Sequence, residues 1–590
     1  MEKNKTTENF CIGTYLTTRL EQLGIKHLFA VPGDYTSEFL EIIDQESKIE
    51  YVGTCNELNA GYSADGYARV HGIGAVSVTS GVGAFSLLNA VGGSYVESYP
   101  IVVIIGTPSN TNKLLESSAG KRFHHQVNPS DTNKAVYRDV TVTQKYISEP
   151  LSAPWQIDDA LVNCISYRLP VLIEIAADCY RLPCKAPKGK LEPISLNMSY
   201  AELKESHENK YALEISNSIH GAVNATYEKL CSAKTPVLWL GREITIYGLH
   251  EKIKKLLKLT NVPFITSLLG KSVLSEDTSN FVGVYEGAFT TLFTSQIVKN
   301  SDCIISIGVW NTDINTLGEK TTHTEKPATV FASRNVVRID EDIFVNVSLE
   351  NFLDKFIELI ENKGCPHRAG TVPTLPELKI PQPSELITYD NFFAVLNNYL
   401  GKNHIVVSDM GLSSIGSSGV LHISKQQGFH IQGLWASIGW SIPAALGTSF
   451  LPDHRTIVIV GDGAFKMTCQ EISTMINTKR NTVIFVMNNG VYGIEQMFTD
   501  PSPFKLDKSN FEGANVLPKW DYCSLMNAFS NNDSNVGKSA RVNTIDELQK
   551  VLQLIIKNSN ACWLVDVQLP ERDYPSTWSS VVNPDSESNS

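Results

Sequence analysis

The sequence predicts an α/β protein of three successive parallel-sheet blocks. Three observations carry this expectation. Residues 456–460 and 482–487 are short, continuously apolar runs separated by Gly461-Asp462-Gly463 and a stretch, 470–479, with helical character. A strand–turn–helix–strand unit of this kind brings both strand ends to one edge of a parallel sheet. A second unit near the N-terminus repeats the pattern. Gly81-Val82-Gly83-Ala84-Phe85 opens a helix and leads to the apolar run 101–105, much as Gly461-Asp462-Gly463-Ala464-Phe465 leads to 482–487. Finally, 590 residues exceed what one core accommodates.

The first block spans 1–190 and ends in Leu182-Pro183-Cys184-Lys185-Ala186-Pro187-Lys188, which reads as a linker. The second, 206–365, contains the strand-like runs 235–240 and 303–307 and lacks a Gly-x-Gly-x-x-Gly nucleotide motif. A proline-rich connector leads to the third block, 386–570. A tail, 571–590, ends in a Ser/Asn/Asp-rich segment from 583 that is expected to be disordered. The first and third blocks read as two copies of one architecture.

Composition narrows the function classes. Hydrophobic content of 42% and charged content of 19% fit a soluble globular protein. A net charge of −12 argues against a nucleic-acid surface. No apolar run reaches membrane-spanning length. The start, Met1-Glu2-Lys3-Asn4-Lys5, lacks a signal-peptide core. Eleven scattered cysteines without a Cys-x-x-Cys pair suggest reduced thiols and a cytoplasmic enzyme.

The chemistry concentrates at a few places. Gly461-Asp462-Gly463 follows one strand, and Asn488-Asn489 ends the next, so Asp462 and Asn489 come close in space. A carboxylate, an amide oxygen and a nearby backbone carbonyl are hard oxygen ligands suited to Mg²⁺, which keeps phosphate oxygens as its remaining ligands. The glycines, with Ala464 behind them, let backbone N–H groups approach a diphosphate. Upstream, Glu57 starts a helix-like string of small residues from Ala60 to Ala68. It either favours the helix N-terminus electrostatically or serves a ligand. His124-His125 follows a stretch, 109–121, expected to be flexible. Asp34 in Val31-Pro32-Gly33-Asp34-Tyr35 and Glu495 in Tyr492-Gly493-Ile494-Glu495 complete the candidates.

The spaced Gly-Asp-Gly and Asn-Asn motif, together with the Glu57 string, resembles the thiamin-diphosphate enzymes. The narrower set of Asp34, His124-His125 and Glu495 resembles the 2-keto acid decarboxylases among them. This resemblance implies a three-domain fold, with two similar cofactor domains flanking a Rossmann-like middle domain. It implies thiamin diphosphate and Mg²⁺ as cofactors, the metal held by Asp462, Asn489 and the carbonyl of Val491. It implies that Glu57 hydrogen-bonds the pyrimidine ring, that the Ala436 carbonyl accepts from its amino group, and that Ile438 wedges the cofactor into a bent form. Gly411 and Ile494 would line the same cleft. Asp34, His124, His125 and Glu495 would handle proton delivery and aldehyde release. A small-molecule 2-keto acid is the implied substrate, and a homodimer paired into a homotetramer the implied assembly.

Two departures from the family pattern stand out. Gly490-Val491 follows Asn489 where Asp-Gly is common, and Met410-Gly411-Leu412 replaces a Thr-bearing turn beside the pyrimidine. Two other readings are compatible with parts of the sequence. One is a carboligase like acetohydroxyacid synthase. The other is a thiamin fold that has lost catalysis, against which the joint presence of Glu57, Asp462 and Asn489 argues.

Overall fold

The computed structural model describes residues 10–127, 132–194, 210–317, 329–505 and 509–583. Three sheets organise the chain. The first has strands His27–Ala30, Glu50–Gly53, Gly74–Thr79, Ile101–Thr107, Thr143–Ile147 and Val171–Ala176. They lie in the order second, first, third, fourth, sixth, fifth, and every pairing is parallel. The last sheet, of His404–Ser408, Phe429–His430, Arg455–Gly461, Val483–Asn488, Gly537–Val542 and Cys562–Gln568, repeats that order, again all parallel. Identical strand order in two blocks supports the expected internal copy.

The middle sheet differs. Pro236–Leu240, Phe264–Ser267, Phe281–Tyr285, Cys303–Ile307 and Val330–Ser333 pair in parallel. Two further strands, Val336–Ile339 and Asp342–Val345, extend one edge antiparallel. This block carries its own core, including Leu238, Ile305, Phe352 and Phe356.

The outer blocks share a core. Phe29, Val76 and Val103 of the first sheet belong to one buried cluster with Ile405, Val458 and Ile484 of the last. Two helices make the junction. Asn56 caps Glu57–His71 by accepting from the Asn59 N–H, and Gly72, at φ 92°, ends it in the left-handed region where glycine is unstrained. Small residues on that helix let the helix Ser441–Thr448 approach to backbone contact. A Cβ on Gly66 would stand 2.1 Å from the Ala444 carbonyl oxygen, and one on Gly447 would stand 2.0 Å from that of Ser63. Side-chain volume is excluded here, which explains the run of small residues.

Two local expectations are corrected. The helix placed at 470–479 begins earlier and is interrupted: Asp462–Thr468 is helical, Cys469–Glu471 is a three-ten turn, and Ile472–Asn477 resumes. The interruption accompanies burial of Glu471, whose carboxylate accepts from Cys55 N (3.2 Å) and Asn59 Nδ2 (2.7 Å) in the first block. The stretch 109–121 is not irregular but contains the helix Asn110–Ala119, capped by Ser109 and ended by Gly120 at φ 64°. It buries no residue, so it shows no apolar stripe by which to be read. Within the tail, Ser576–Trp578 and Ser579–Val582 are helical turns, and Trp578 is fully buried with its ring 4.3 Å from Phe289. The segment 584–590 lies outside the described residues. Among the described residues, no helix is long and apolar enough to cross a membrane.

Candidate active site

The strand Arg455–Gly461 runs beside Val483–Asn488, with Gly461 opposite Met487. Their shared end places Asp462 against the turn after Asn489. Asp462 is 2% exposed; its Oδ1 accepts from the Gly463 N–H (3.0 Å) and its Oδ2 from the Gly490 N–H (2.9 Å). Gly490 takes φ 76°, which turns its N–H toward Asp462. Asn489 and Val491 are also buried, and Asn489 Oδ1 accepts from Val491 N at 3.3 Å. Asp462 is thus bonded to the turn that carries Asn489 and Val491. Gly463 is required by packing as well, since a Cβ there would lie 2.2 Å from the Tyr492 ring.

Burial pushes the Asp462 carboxyl up to about 6, against smaller lowering effects of the Gly490 N–H and Lys466. A buried carboxyl with two backbone donors and a raised pKa gains from a divalent cation, which would hold it ionised. Its donor set of carboxylate, amide and backbone oxygens matches Mg²⁺ rather than a softer metal. The residues therefore fit a magnesium–diphosphate group.

A second group forms at the first sheet. Asp34 and His124 are joined by a hydrogen bond of 2.5 Å between Oδ2 and Nε2. The ligand-capable atoms of Asp34, His124 and His125 all lie within 4.8 Å of one another. Tyr35 stacks on His124, with ring centroids 5.1 Å apart, and its hydroxyl donates to the His124 carbonyl at 3.3 Å. His125 adopts φ 63°, and its carbonyl oxygen would lie 1.7 Å from a Cβ on Gly81. Only glycine at 81 admits this loop.

Glu57 is the first residue of its helix and half-buried. Its Oε1 lies 3.4 Å from the position a Cβ would take on Gly83. The glycine pair that opens the helix Val82–Val96 thus serves both Glu57 and the histidine loop. Glu495, on the helix Gly493–Thr499, is exposed. Among the described residues, no hydrogen bond or ion pair links Glu57 or Glu495 to the Asp34 cluster or to Asp462.

The remaining candidates lie on three segments: Gly411 before the helix Leu412–Ser418, Ile494 on Gly493–Thr499, and Ala436 and Ile438 in the turn before Ser441–Thr448. Gly411 takes φ 134°, and a Cβ there would touch the Ile494 Cγ2 at 4.0 Å. Ala436 adopts the left-handed φ of 57°, unusual for a residue with a side chain. Ile438 is partly buried against the shared core. Sequence reasoning missed the residue that organises this turn. Asp409, fully buried, accepts from Gly439 N (3.0 Å) and Ser441 N (2.9 Å), and burial raises it to about 6. It also missed Glu97, a buried carboxylate that accepts from Leu434 N at 2.7 Å, just before Ala436. Both act on backbone through side chains distant in sequence, so no local pattern signals them.

Comparison with known proteins matches all three blocks of the fold. Residues 11–132 match the thiamine pyrophosphate enzyme N-terminal TPP binding domain, 223–358 the central domain, and 409–567 the C-terminal TPP binding domain. The chain belongs to the thiamin-diphosphate-dependent 2-keto acid decarboxylase family. It is 31% identical to a pyruvate decarboxylase of Aspergillus parasiticus, over 86% of this chain and 88% of that one. It is 30% identical to pyruvate decarboxylase 1 of Oryza sativa subsp. japonica over 91% and 85% of the two chains. It is 31% identical to pyruvate decarboxylase 3 of Arabidopsis thaliana over 88% and 84%. The two TPP-binding matches fall on the two sheets of identical strand order, the N-terminal one on the first four strands of its sheet, and the central match falls on the sheet that has the antiparallel edge.

Proposed function

We propose that the chain catalyses non-oxidative decarboxylation of a 2-keto acid to an aldehyde and CO₂, with thiamin diphosphate and Mg²⁺, in the cytoplasm. The substrate is pyruvate or a larger aromatic or branched keto acid such as phenylpyruvate or indolepyruvate. When bound, the cofactor supplies the nucleophilic carbon and the electron sink that the substrate carboxylate requires. The observation that carries the reading is the joint presence of two preformed groups. One is the buried Asp462–Asn489 oxygen site; the other is the hydrogen-bonded Asp34–His124 pair with His125 beside it.

The chain's own residues divide the work. Asp462, Asn489 and the Val491 carbonyl hold the metal, while the Gly461–Ala464 turn lets the diphosphate approach backbone. Glu57 holds a proton at the pyrimidine ring. The Ala436 carbonyl would accept from the cofactor's amino group, and Ile438, beside the turn anchored by Asp409, would pack against the cofactor. Asp34, His124, His125 and Glu495 deliver protons at the substrate end, a contribution of about 10²–10⁴-fold for a positioned acid. Ser414, fully buried with its hydroxyl donating to the Gly411 carbonyl, is a small residue that permits substrate side chains larger than methyl without demanding them.

Assembly belongs to the same proposal. Val82, Phe85, Met467 and Phe498, which flank the site-bearing turns, are between 39% and 61% exposed. Such apolar surface beside a polar site supports an interface. We assign it to a homodimer in which Glu57 of one chain meets cofactor held by the other, and the dimers pair into a homotetramer. A panel of pyruvate, 4-methyl-2-oxopentanoate, phenylpyruvate and indolepyruvate tests the reaction. Aldehyde and CO₂ are expected; acetolactate as the main product would favour a carboligase instead.

A further inference from the structure

We propose that Asp34, His124 and His125 form a binding site for a transition-metal cation of the Zn²⁺ type, separate from the oxygen site at Asp462. Two imidazoles and a carboxylate are the donor set that borderline metals select, whereas Mg²⁺ prefers oxygen alone. Three protein ligands with a fourth position open are the ordinary arrangement of a reactive zinc site.

The geometry needs little adjustment. Around a tetrahedral ion with bonds of about 2.0–2.1 Å, neighbouring ligand atoms lie roughly 3.3 Å apart. The three donor atoms here all lie within 4.8 Å of one another. The closest pair, His124 Nε2 and Asp34 Oδ2 at 2.5 Å, shares one proton. A cation replaces that proton: the pair opens by less than an ångström while His125 draws in. Both side chains are free to make the shift, being 58% and 48% exposed.

The frame behind the ligands is fixed. Tyr35 stacks on His124 and meets His125 edge-on, with ring centroids 6.3 Å apart. The left-handed His125 backbone is locked against Gly81. Less conformational entropy is then lost on binding than in a loose loop.

The consequence rests on the proposed function, though the binding itself does not. A cation on these three residues occupies the groups assigned to proton delivery. Zn²⁺ should therefore inhibit turnover without displacing thiamin diphosphate, and a chelator selective for Zn²⁺ should restore it.

The test uses the holoenzyme, saturated with Mg²⁺ and thiamin diphosphate, titrated with Co²⁺ as a spectroscopic probe. One equivalent per chain should bind with the visible absorption of a low-coordinate site, and Zn²⁺ should abolish the signal. His125→Phe and Asp34→Asn should each weaken binding by about 10²-fold or more. Asp462→Ala should leave the signal intact. Equal Co²⁺ binding by the parent and both variants would overturn the proposal. So would a signal lost only in Asp462→Ala, which would place the cation in the oxygen site. Decarboxylation absent from the metal-free holoenzyme, with the Co²⁺ signal appearing on titration, would remove the functional reading alone; decarboxylation present with no Co²⁺ signal on titration would remove the metal site alone.

Discussion

Asp462 shows at the scale of one residue how a site can be built to need its ligand. Its carboxyl is buried, satisfied by two backbone N–H groups, and pushed up to about 6. Replacing it with alanine removes the anion proposed to hold the metal. Titration calorimetry on Asp462→Ala should show loss of Mg²⁺-dependent thiamin diphosphate binding; unchanged affinity would remove Asp462 from the metal site. His125 lies elsewhere, in the loop against Gly81, and its replacement leaves Asp462 and Glu57 untouched. His125→Phe should bind cofactor normally yet release aldehyde about 10²-fold more slowly, the loss expected when a positioned acid is removed. Parent-rate turnover of pyruvate and phenylpyruvate would mean that the pair is only a loop feature.

At the scale of elements, the junction between Glu57–His71 and Ser441–Thr448 couples the sheet that carries Glu57 to the sheet that carries Asp462. Its tolerance for volume is low, because the atoms facing Gly66 are backbone. Gly66→Ala should destabilise the protein by about 1–3 kcal/mol or more, the usual cost of overpacking without relaxation. Chemical denaturation would measure it, and an unchanged midpoint would contradict the close approach. Legibility in the sequence followed this same physics. Strands buried on both faces read as apolar runs, and glycines at turns marked Asp462 and Gly81. The surface helix Asn110–Ala119 left no periodic trace because it buries nothing. Nor could a linear reading find Asp409, Glu97 or Glu471, whose partners are backbone groups supplied by distant segments.

At the scale of the whole molecule, the middle and last blocks meet over Glu286. It is fully buried, and neither carboxylate oxygen has a hydrogen-bond partner among the described residues. The Ser418 hydroxyl across the junction donates instead to the Ile415 carbonyl. Burial raises Glu286 from 4.5 to about 8, with the charge of Lys271 opposing. Between those values the folded chain holds a proton that the unfolded chain has lost, so stability falls as pH rises from about 4.5 to about 8. Glu286→Gln removes the titration. Its stability relative to the parent should grow across that window, by something on the order of 1–3 kcal/mol, and level off above it. Parallel pH profiles of thermal unfolding would contradict this. The proposed paired-chain site predicts complementation as well. Mixed Glu57→Gln and Asp462→Ala chains should regain activity in hybrid dimers that neither parent shows, and full activity in a monomer would exclude a shared site. The account as a whole rests on one reaction. Purified protein should release CO₂ and the matching aldehyde from at least one 2-keto acid, lose that activity when thiamin diphosphate and Mg²⁺ are stripped, and regain it when both are restored. CO₂ release that survives stripping, or its absence with every keto acid under full reconstitution, would contradict the account.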